Sequence, residues 1–381
     1  MNYIKRVIED NIIDDILSKN KVVLIYGARR VGKTELVKKI LREINIDYLF
    51  LNGENMEHAN LLQNRSTANY KRMMGKNKLL VIDEAQTIAD IGLKLKLMID
   101  TISGIKILAT GSSSFDLNNQ VGEPLVGRKK EYKLFPLAQM ELVNYEDYLT
   151  TLSNLEERLI FGGYPELIHI SERNEKVEYL KDLVNSYLLK DIIAFEGVKK
   201  REKIVNLLRI IAFRNGSEIS LEGVGRELQI SKNTVDKYLD LLSKMFVIHK
   251  LSGFNKNLDN EVTKKSKWFF MDNGIRNAII SNFNPISLRD DIGKLWENYF
   301  ISERIKYQSY HKMHVNNYFW RHKNNQEIDW IEETEKGLNA FEIKWNPKSK
   351  ARVPSQWQKA YGYSHFQVID SENFLDFITD T

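Results

Sequence analysis

Residues 21–34 read Lys-Val-Val-Leu-Ile-Tyr-Gly-Ala-Arg-Arg-Val-Gly-Lys-Thr, a short apolar run that passes straight into Gly27-Ala28-Arg29-Arg30-Val31-Gly32-Lys33-Thr34. The second half fits G-x-x-x-x-G-K-[ST] at every position, and Glu35 begins a helix-compatible stretch, ELVKKILREI. Strand, glycine turn and helix in that order let successive backbone N–H groups wrap a triphosphate, while the helix adds its positive amino-terminal end. Lys33 is expected to pair with the β and γ phosphates, and the Thr34 hydroxyl to bind magnesium. The competing reading is a glycine turn with a solvated lysine. The strand before the motif and the helix after it speak against that.

Further apolar runs follow at residues 48–51, 79–82 and 105–109, separated by stretches long enough for helices, and a fifth candidate strand at 131–135 ends at Pro136. Buried strands alternating with helices imply a parallel sheet with helices on both faces. The run Leu79-Leu-Val-Ile-Asp83-Glu84 places Asp83 where it would hold the magnesium water shell and Glu84 where it would polarise an attacking water. The next strand ends in Ala109-Thr-Gly-Ser-Ser-Ser114, and Ser112 is the expected γ-phosphate sensor. Arg128, in Val121-Gly-Glu-Pro-Leu-Val-Gly-Arg128, is either an arginine finger acting on a neighbouring subunit of a homo-oligomer or an ordinary surface arginine.

With 381 residues, 43% of them hydrophobic, the chain is long enough for two or three domains. A charged fraction of 28% and a net charge of +5 describe a mildly basic protein, for which nucleic acid is permitted and not demanded. The lack of cysteine excludes disulfides, thiolate zinc sites and cysteine nucleophiles, and fits a cytosolic protein. The first twenty residues carry acids throughout an amphipathic pattern, unlike a signal peptide, and no stretch has the uncharged apolar length of a membrane helix. A cytoplasmic location without a membrane partner is expected.

From 137 to about 197 the pattern is helical, broken at Phe161-Gly-Gly-Tyr-Pro165, as in a lid or linker. Residues 202–251 read as a helix, a second helix at 219–228, a tight connection at Gln229-Ile230, a third helix at 231–244 capped by Ser231, and a strand at 246–251. In a DNA-reading helix-turn-helix, Lys232, Asn233, Thr234, Lys237 and Tyr238 would contact phosphates and base edges, with Val235, Leu239 and Leu242 facing the core. Modules of this shape also serve as protein-binding adaptors, and both uses stand.

The remainder has apolar runs at 318–320, 328–331, 340–345 and 366–369. Glu342 and Lys344 lie two apart on one of them, so both project from one face. Asp329 ends the earlier QEIDWI strand and Glu297 lies in the helical stretch GKLWENYFISERI. Carboxylates in this set would hold magnesium near a phosphodiester while Lys344 orients or activates water. Helix with Glu, strand with Asp and strand with Glu-x-Lys is the order of PD-(D/E)xK nucleases, which this tail resembles, whether as an active nuclease or as the fold alone. Gln356 and Tyr361 follow on a helix-compatible stretch. His249, His311, His314 and His322 show no zinc spacing, and the six tryptophans are expected in the core.

The stretches GARRVGKT, LLVIDEAQ, ATGSSS, GEPLVGRKKEYKLFPL, FGGYPE, YLLKDI, LWENYF and EIDWI followed by FEIKW together resemble prokaryotic AAA-like ATPases with a poorly characterised C-terminal domain. The resemblance runs over nearly the whole chain. It implies an α/β P-loop ATPase core with Walker A and Walker B motifs (1–140), a helical lid or linker (141–200), a winged helix (201–255) and an α/β restriction-endonuclease-like domain (256–381). The implied activity is ATP hydrolysis with magnesium, coupled to DNA binding and possible DNA cleavage. The alternative is a nucleotide-switched signalling or scaffold ATPase whose inactive nuclease-like tail binds a protein partner.

Overall fold

The computed structural model describes residues 3–18, 20–112, 125–188, 192, 201–255, 266–322, 324–362 and 365–380. Ser113, Ser114, the stretch 121–124 and residues 189–191 of YLLKDI lie outside the described residues. Contacts divide the chain into two units, Met1–Pro136 with Lys244–Phe246, and Leu137–Ser243 with Val247–Thr381.

In the first unit the apolar runs become β1 (Val22–Tyr26), β2 (Tyr48–Asn52), β3 (Leu79–Asp83), β4 (Lys106–Gly111) and β5 (Lys129–Lys133), in the order β2-β3-β4-β1-β5. All four pairings are parallel. Every residue of β1 and β3 is buried, so both faces of the sheet centre are covered, as a parallel sheet requires. On one face Val22, Leu24, Leu80, Ile82 and Ile107 pack with Leu95 and Met98 of helix Ile91–Thr101. The fifth strand begins two residues earlier than its apolar signal at 131–135. It is an edge strand of sequence KKEYK in which only Tyr132 is buried, so pairing to β1 rather than hydrophobicity defines it.

The second unit carries a mixed seven-stranded sheet: β6 (Glu218–Ile219), β7 (Ile248–Gly253), β8 (Ser266–Phe270), β9 (Asn316–Arg321), β10 (Glu327–Thr334), β11 (Gly337–Ile343) and β12 (His365–Ile369). Its order is β12-β11-β10-β9-β7-β8-β6. Helices Leu221–Leu228 and Lys232–Lys244 precede β7, and the Ser231 hydroxyl accepts from Thr234 N as the expected cap. The strand after them starts at Ile248, two residues later than its apolar signal, and pairs with both β8 and β9. Helix Ile292–Tyr310, β9, β10, β11, helix Ser355–Tyr361 and β12 follow in sequence.

One face of this sheet packs Trp330, Phe319, Phe341 and Ile343 against Trp296, Tyr299 and Phe300 of helix Ile292–Tyr310. The other gathers Trp320, Ile328, Ile331 and Ala340 around Trp357. Ile328 and Ile331 are three apart, yet share a face, because the β9–β10 register shifts between them. The break at Phe161-Gly-Gly-Tyr-Pro165 follows from Asp272: its carboxylate accepts from Gly163 N and caps helix Asn273–Ile280, and a Cβ on Gly162 would collide with it. Among the described residues no helix is long and apolar enough to cross a membrane.

Several buried charges in this unit are paired. Arg276 and Arg289, whose side chains are 3% and 0% exposed, bond Asp291 at 2.5 and 2.8 Å. Burial works against ionisation of Asp291, but hydrogen bonds from Arg289 and Arg276 outweigh it and hold its pKa at about 2. A folded pKa below the unfolded value contributes stability that is present above about pH 4 and lost as the pH falls toward 2. Asp291→Asn is expected to lower the stability of this unit by about 3 kcal/mol at pH 7, because it strands two buried guanidinium groups. Urea unfolding followed between pH 7 and pH 2 should show the gap to wild type closing on the acid side.

Candidate functional site

The loop between β1 and helix Lys33–Glu43 needs two glycines for different reasons. At Gly27 a Cβ would collide with the Leu134 carbonyl oxygen, since the chain after β5 runs directly against the loop, with Leu134 N donating to Tyr26 O at 2.6 Å. Gly32 has φ 96°, a left-handed conformation, and no side chain caps the helix there. Uncapped N–H groups at a helix start suit an anion. Arg6, 3% exposed, braces the loop by donating to Val31 O at 2.9 Å and Phe135 O at 2.7 Å. Lys33 is 5% exposed, and its ammonium donates to the carbonyls of Gly27 and Ala28, both at 3.0 Å.

Parallel pairing of β1, β4 and β3 brings Asp83 to the same sheet end as the loop. Thr34 Oγ1 donates to Asp83 Oδ2 at 2.8 Å, and Thr110 Oγ1 donates to Asp83 Oδ1 at 2.5 Å. Thr110 also accepts from Glu84 N at 3.1 Å, so one buried hydroxyl holds both members of the acidic pair. Glu84 has φ 50°, turning the chain sharply after the strand. Gln86 Nε2 then donates to Glu84 Oε2 at 2.6 Å and to Ser112 Oγ at 3.1 Å. Thus Lys33, Thr34, Asp83, Glu84 and Ser112 lie at one end of one sheet. Arg6, Thr110 and Gln86 join them without having been singled out; Thr110 carries the one signal available, a hydroxyl near the end of an apolar strand.

Arg128 is elsewhere. It lies just before β5, whose first residue pairs with Val22, the start of β1, whereas the loop leaves from the end of β1. The two levels differ by a strand length, roughly 16 Å. Its guanidinium donates to Asp100 at 2.6 Å, so within the chain it is a surface ion-pair residue.

In the second unit Glu297, Asp329, Glu342 and Lys344 do converge. Asn298 bonds both the N–H and the carbonyl of Phe270, at 2.7 and 3.0 Å, which ties the helix carrying Glu297 to β8. Arg304 grips Glu332 with two bonds of 2.6 and 2.9 Å, tying that helix to β10. Asp329 does not end its strand but is the third residue of β10, where the register shifts, and its Oδ2 accepts from Ile343 N at 2.9 Å. Lys344 Nζ lies 2.6 Å from Glu342 and 4.0 Å from Asp329. Burial raises the pKa of Glu297, with Asp329 and Glu327 adding to it against the pull of Lys267. Burial likewise raises those of Asp329 and Glu342. The donor type suits magnesium, but in this arrangement the residues do not fit one: among the described residues no three His, Asp or Glu side chains are grouped to hold a metal ion.

Of the five residues expected on the exposed face of helix Lys232–Lys244, Lys232, Asn233 and Lys237 are exposed. Lys232 pairs with Glu222 at 3.3 Å, and the Thr234 hydroxyl bonds Ser231. Tyr238 requires correction: it is 3% exposed and packs inward with Val235, Leu239 and Leu242, because the helix face turned to the core is wide enough to take an aromatic residue one step before Leu239. All six tryptophans are buried or half-buried, which leaves none as an open stacking platform.

Residues 19–143 match a family model described as an AAA domain, and residues 152–286 and 292–373 match two domains of unknown function (DUF8612 and DUF4143). The chain is 26% identical over 366 residues to the uncharacterized protein MJ1544 of Methanocaldococcus jannaschii, covering 90% of this chain and 79% of that one. It is 24% identical over 335 residues to the uncharacterized protein Rv2008c of Mycobacterium tuberculosis, covering 86% and 71%. Among solved structures, the Walker-type ATPase paby2304 of Pyrococcus abyssi superposes with a TM-score of 0.52 at 17% identity, over 73% of this chain and 96% of that one, a likeness of fold. Along its length the chain is thus similar first to an AAA domain and then to two domains of unknown function.

Proposed function

We propose that this protein hydrolyses ATP with magnesium at the Gly27–Thr34 loop and passes its nucleotide state to the C-terminal unit. The observation that carries the reading is the bond from the Thr34 hydroxyl to the Asp83 carboxylate: two hard oxygen donors from distant stretches, adjacent beside a loop of backbone N–H groups. Magnesium takes one or two protein oxygens and completes its shell with water and phosphate oxygens, so this pair suits it. Bound there, the ion would neutralise charge developing on the phosphates.

The chain's own groups do the rest. Lys33, now held by the Gly27 and Ala28 carbonyls, exchanges these neutral acceptors for phosphate oxygens, a stronger charge-assisted pairing. Glu84 orients the attacking water and accepts its proton, and Gln86 ties that carboxylate to Ser112, the sensor position. Arg128 would reach a phosphate only in a neighbouring subunit, after leaving Asp100.

A second reading, that the C-terminal unit acts on DNA, is supported by the convergence of Glu297, Asp329, Glu342 and Lys344 from three separate elements. The competing class is a signalling or scaffold ATPase whose C-terminal unit binds protein.

Lys33→Ala is expected to weaken ATP binding at least about tenfold, measured by calorimetry, whereas Glu84→Gln keeps affinity and lowers kcat by about a hundredfold or more. Unchanged affinity in the first variant, or unchanged turnover in the second, removes the assigned role. Thr110→Val and Gln86→Ala should each lower kcat roughly tenfold with little change in KM, since each removes one side-chain bond to a carboxylate and none to substrate. For the second reading, DNA affinity should fall steeply with salt, and Lys232→Ala and Lys237→Ala should each reduce the slope of log K against log salt by about one. A flat salt response argues for the protein-binding class.

A further inference from the structure

The least exposed side chain of the carboxylate cluster is one that no sequence motif marks. Lys267, the second residue of β8, has a side chain only 4% exposed. Its ammonium lies 2.5 Å from Glu327 Oε1 and 3.5 Å from Glu297 Oε1, above the ring of Phe319 at 5.2 Å. Across the cluster Lys344 serves Glu342 and Asp329. Four carboxylates therefore share two ammonium groups, with the half-exposed Arg321 guanidinium 4.0 Å from Glu327 at the edge, and the most deeply buried of these cations is Lys267. An ammonium taken out of water to this degree persists only against close counter-charges, and the carboxylates around it need a cation just as much. Charge also decides what else enters: a divalent ion approaching Glu297 meets the repulsion of a buried ammonium across a medium that screens it poorly. The Nζ position is not accidental, since the Asn298–Phe270 bonds hold the helix of Glu297 against β8.

We propose that Lys267 is the resident cation of this cluster, supplying to Glu297 and Glu327 the positive charge that a divalent ion would otherwise bring, so that the site stays closed to metal while Lys267 is in place. The inference rests on the convergence of residues that the second reading above also uses, and on neither DNA cleavage nor ATP hydrolysis. It makes Lys267 a positioning and gating residue: Glu297, Asp329 and Glu342 would hold magnesium or manganese only after its ammonium is withdrawn.

The test is manganese binding by titration calorimetry on the full chain without nucleotide, alongside thermal unfolding in EDTA and in manganese. The variants are Lys267→Met and the double variant Lys267→Met/Glu327→Gln, which removes one charge of each sign and leaves Glu297, Asp329 and Glu342 intact. Lys267→Met alone is expected to unfold on the order of 10 °C lower in EDTA and to regain much of that loss in manganese. Both variants should bind manganese at least roughly tenfold more tightly than wild type, in a manner abolished by adding Asp329→Ala. Should Lys267→Met fail to fold, the charge-balanced double variant still decides the matter. Wild type binding manganese as tightly as the double variant, through Asp329, overturns the proposal. DNA cleavage is scored separately. A double variant that binds manganese and cuts no DNA supports the resident-cation role and removes the second reading, whereas manganese-dependent cleavage by wild type that Asp329→Ala abolishes overturns the role and supports that reading.

Discussion

The Asp83 carboxylate is the point at which the first unit is tied together. One oxygen accepts from Thr34, on the helix after the phosphate loop, and the other from Thr110, on the neighbouring strand, while the Asp83 backbone carbonyl accepts from Gly53 beyond β2. A 6% exposed carboxylate needs such donors, because an unpaired charge at that depth would be costly. Satisfying it draws loop, β3 and β4 into one register at the carboxyl end of the sheet. Glu84 inherits its position from the same bonds, since Thr110 also holds its N–H.

The second unit handles charge differently. Where the Gly27–Thr34 loop leaves helix N–H groups uncapped and keeps a lysine on neutral carbonyls, the C-terminal cluster matches carboxylates with Lys267 and Lys344. Arg276 and Arg289 on Asp291, and Arg304 on Glu332, repeat the pattern of buried ions answered inside the unit. An anion site has to present unmet donors; a self-compensated cluster presents few. The two units therefore differ in readiness for a ligand even though both bring acidic residues together from separate elements.

Much of the first unit was legible residue by residue. Continuous apolar runs marked four of its strands, and the Gly27–Thr34 spacing marked the loop, because backbone geometry and burial act locally there. The fifth strand was displaced by two residues because an edge strand needs little apolar character. Tyr238 was misplaced for a related reason: helical periodicity gives a face and not its width. Gln86 and Thr110 were missed as positioning groups, since polar residues at strand ends are common and only their partners distinguish them.

By itself, the sequence determined the glycine loop between the first strand and its helix, the acidic pair beside it, the parallel character of the first sheet and the order of the C-terminal acidic residues, all encoded in spacing and hydrophobic runs of a few residues. Only the tertiary structure decided that Arg128 lies away from the loop within its own chain, that Tyr238 is core, that a register shift falls at Asp329, and that Lys267 enters the carboxylate cluster. Those outcomes depend on strand order and on which buried charges meet, and the groups concerned, such as Lys267 and Glu297 or Arg128 and Asp100, are separated by tens of positions in the chain.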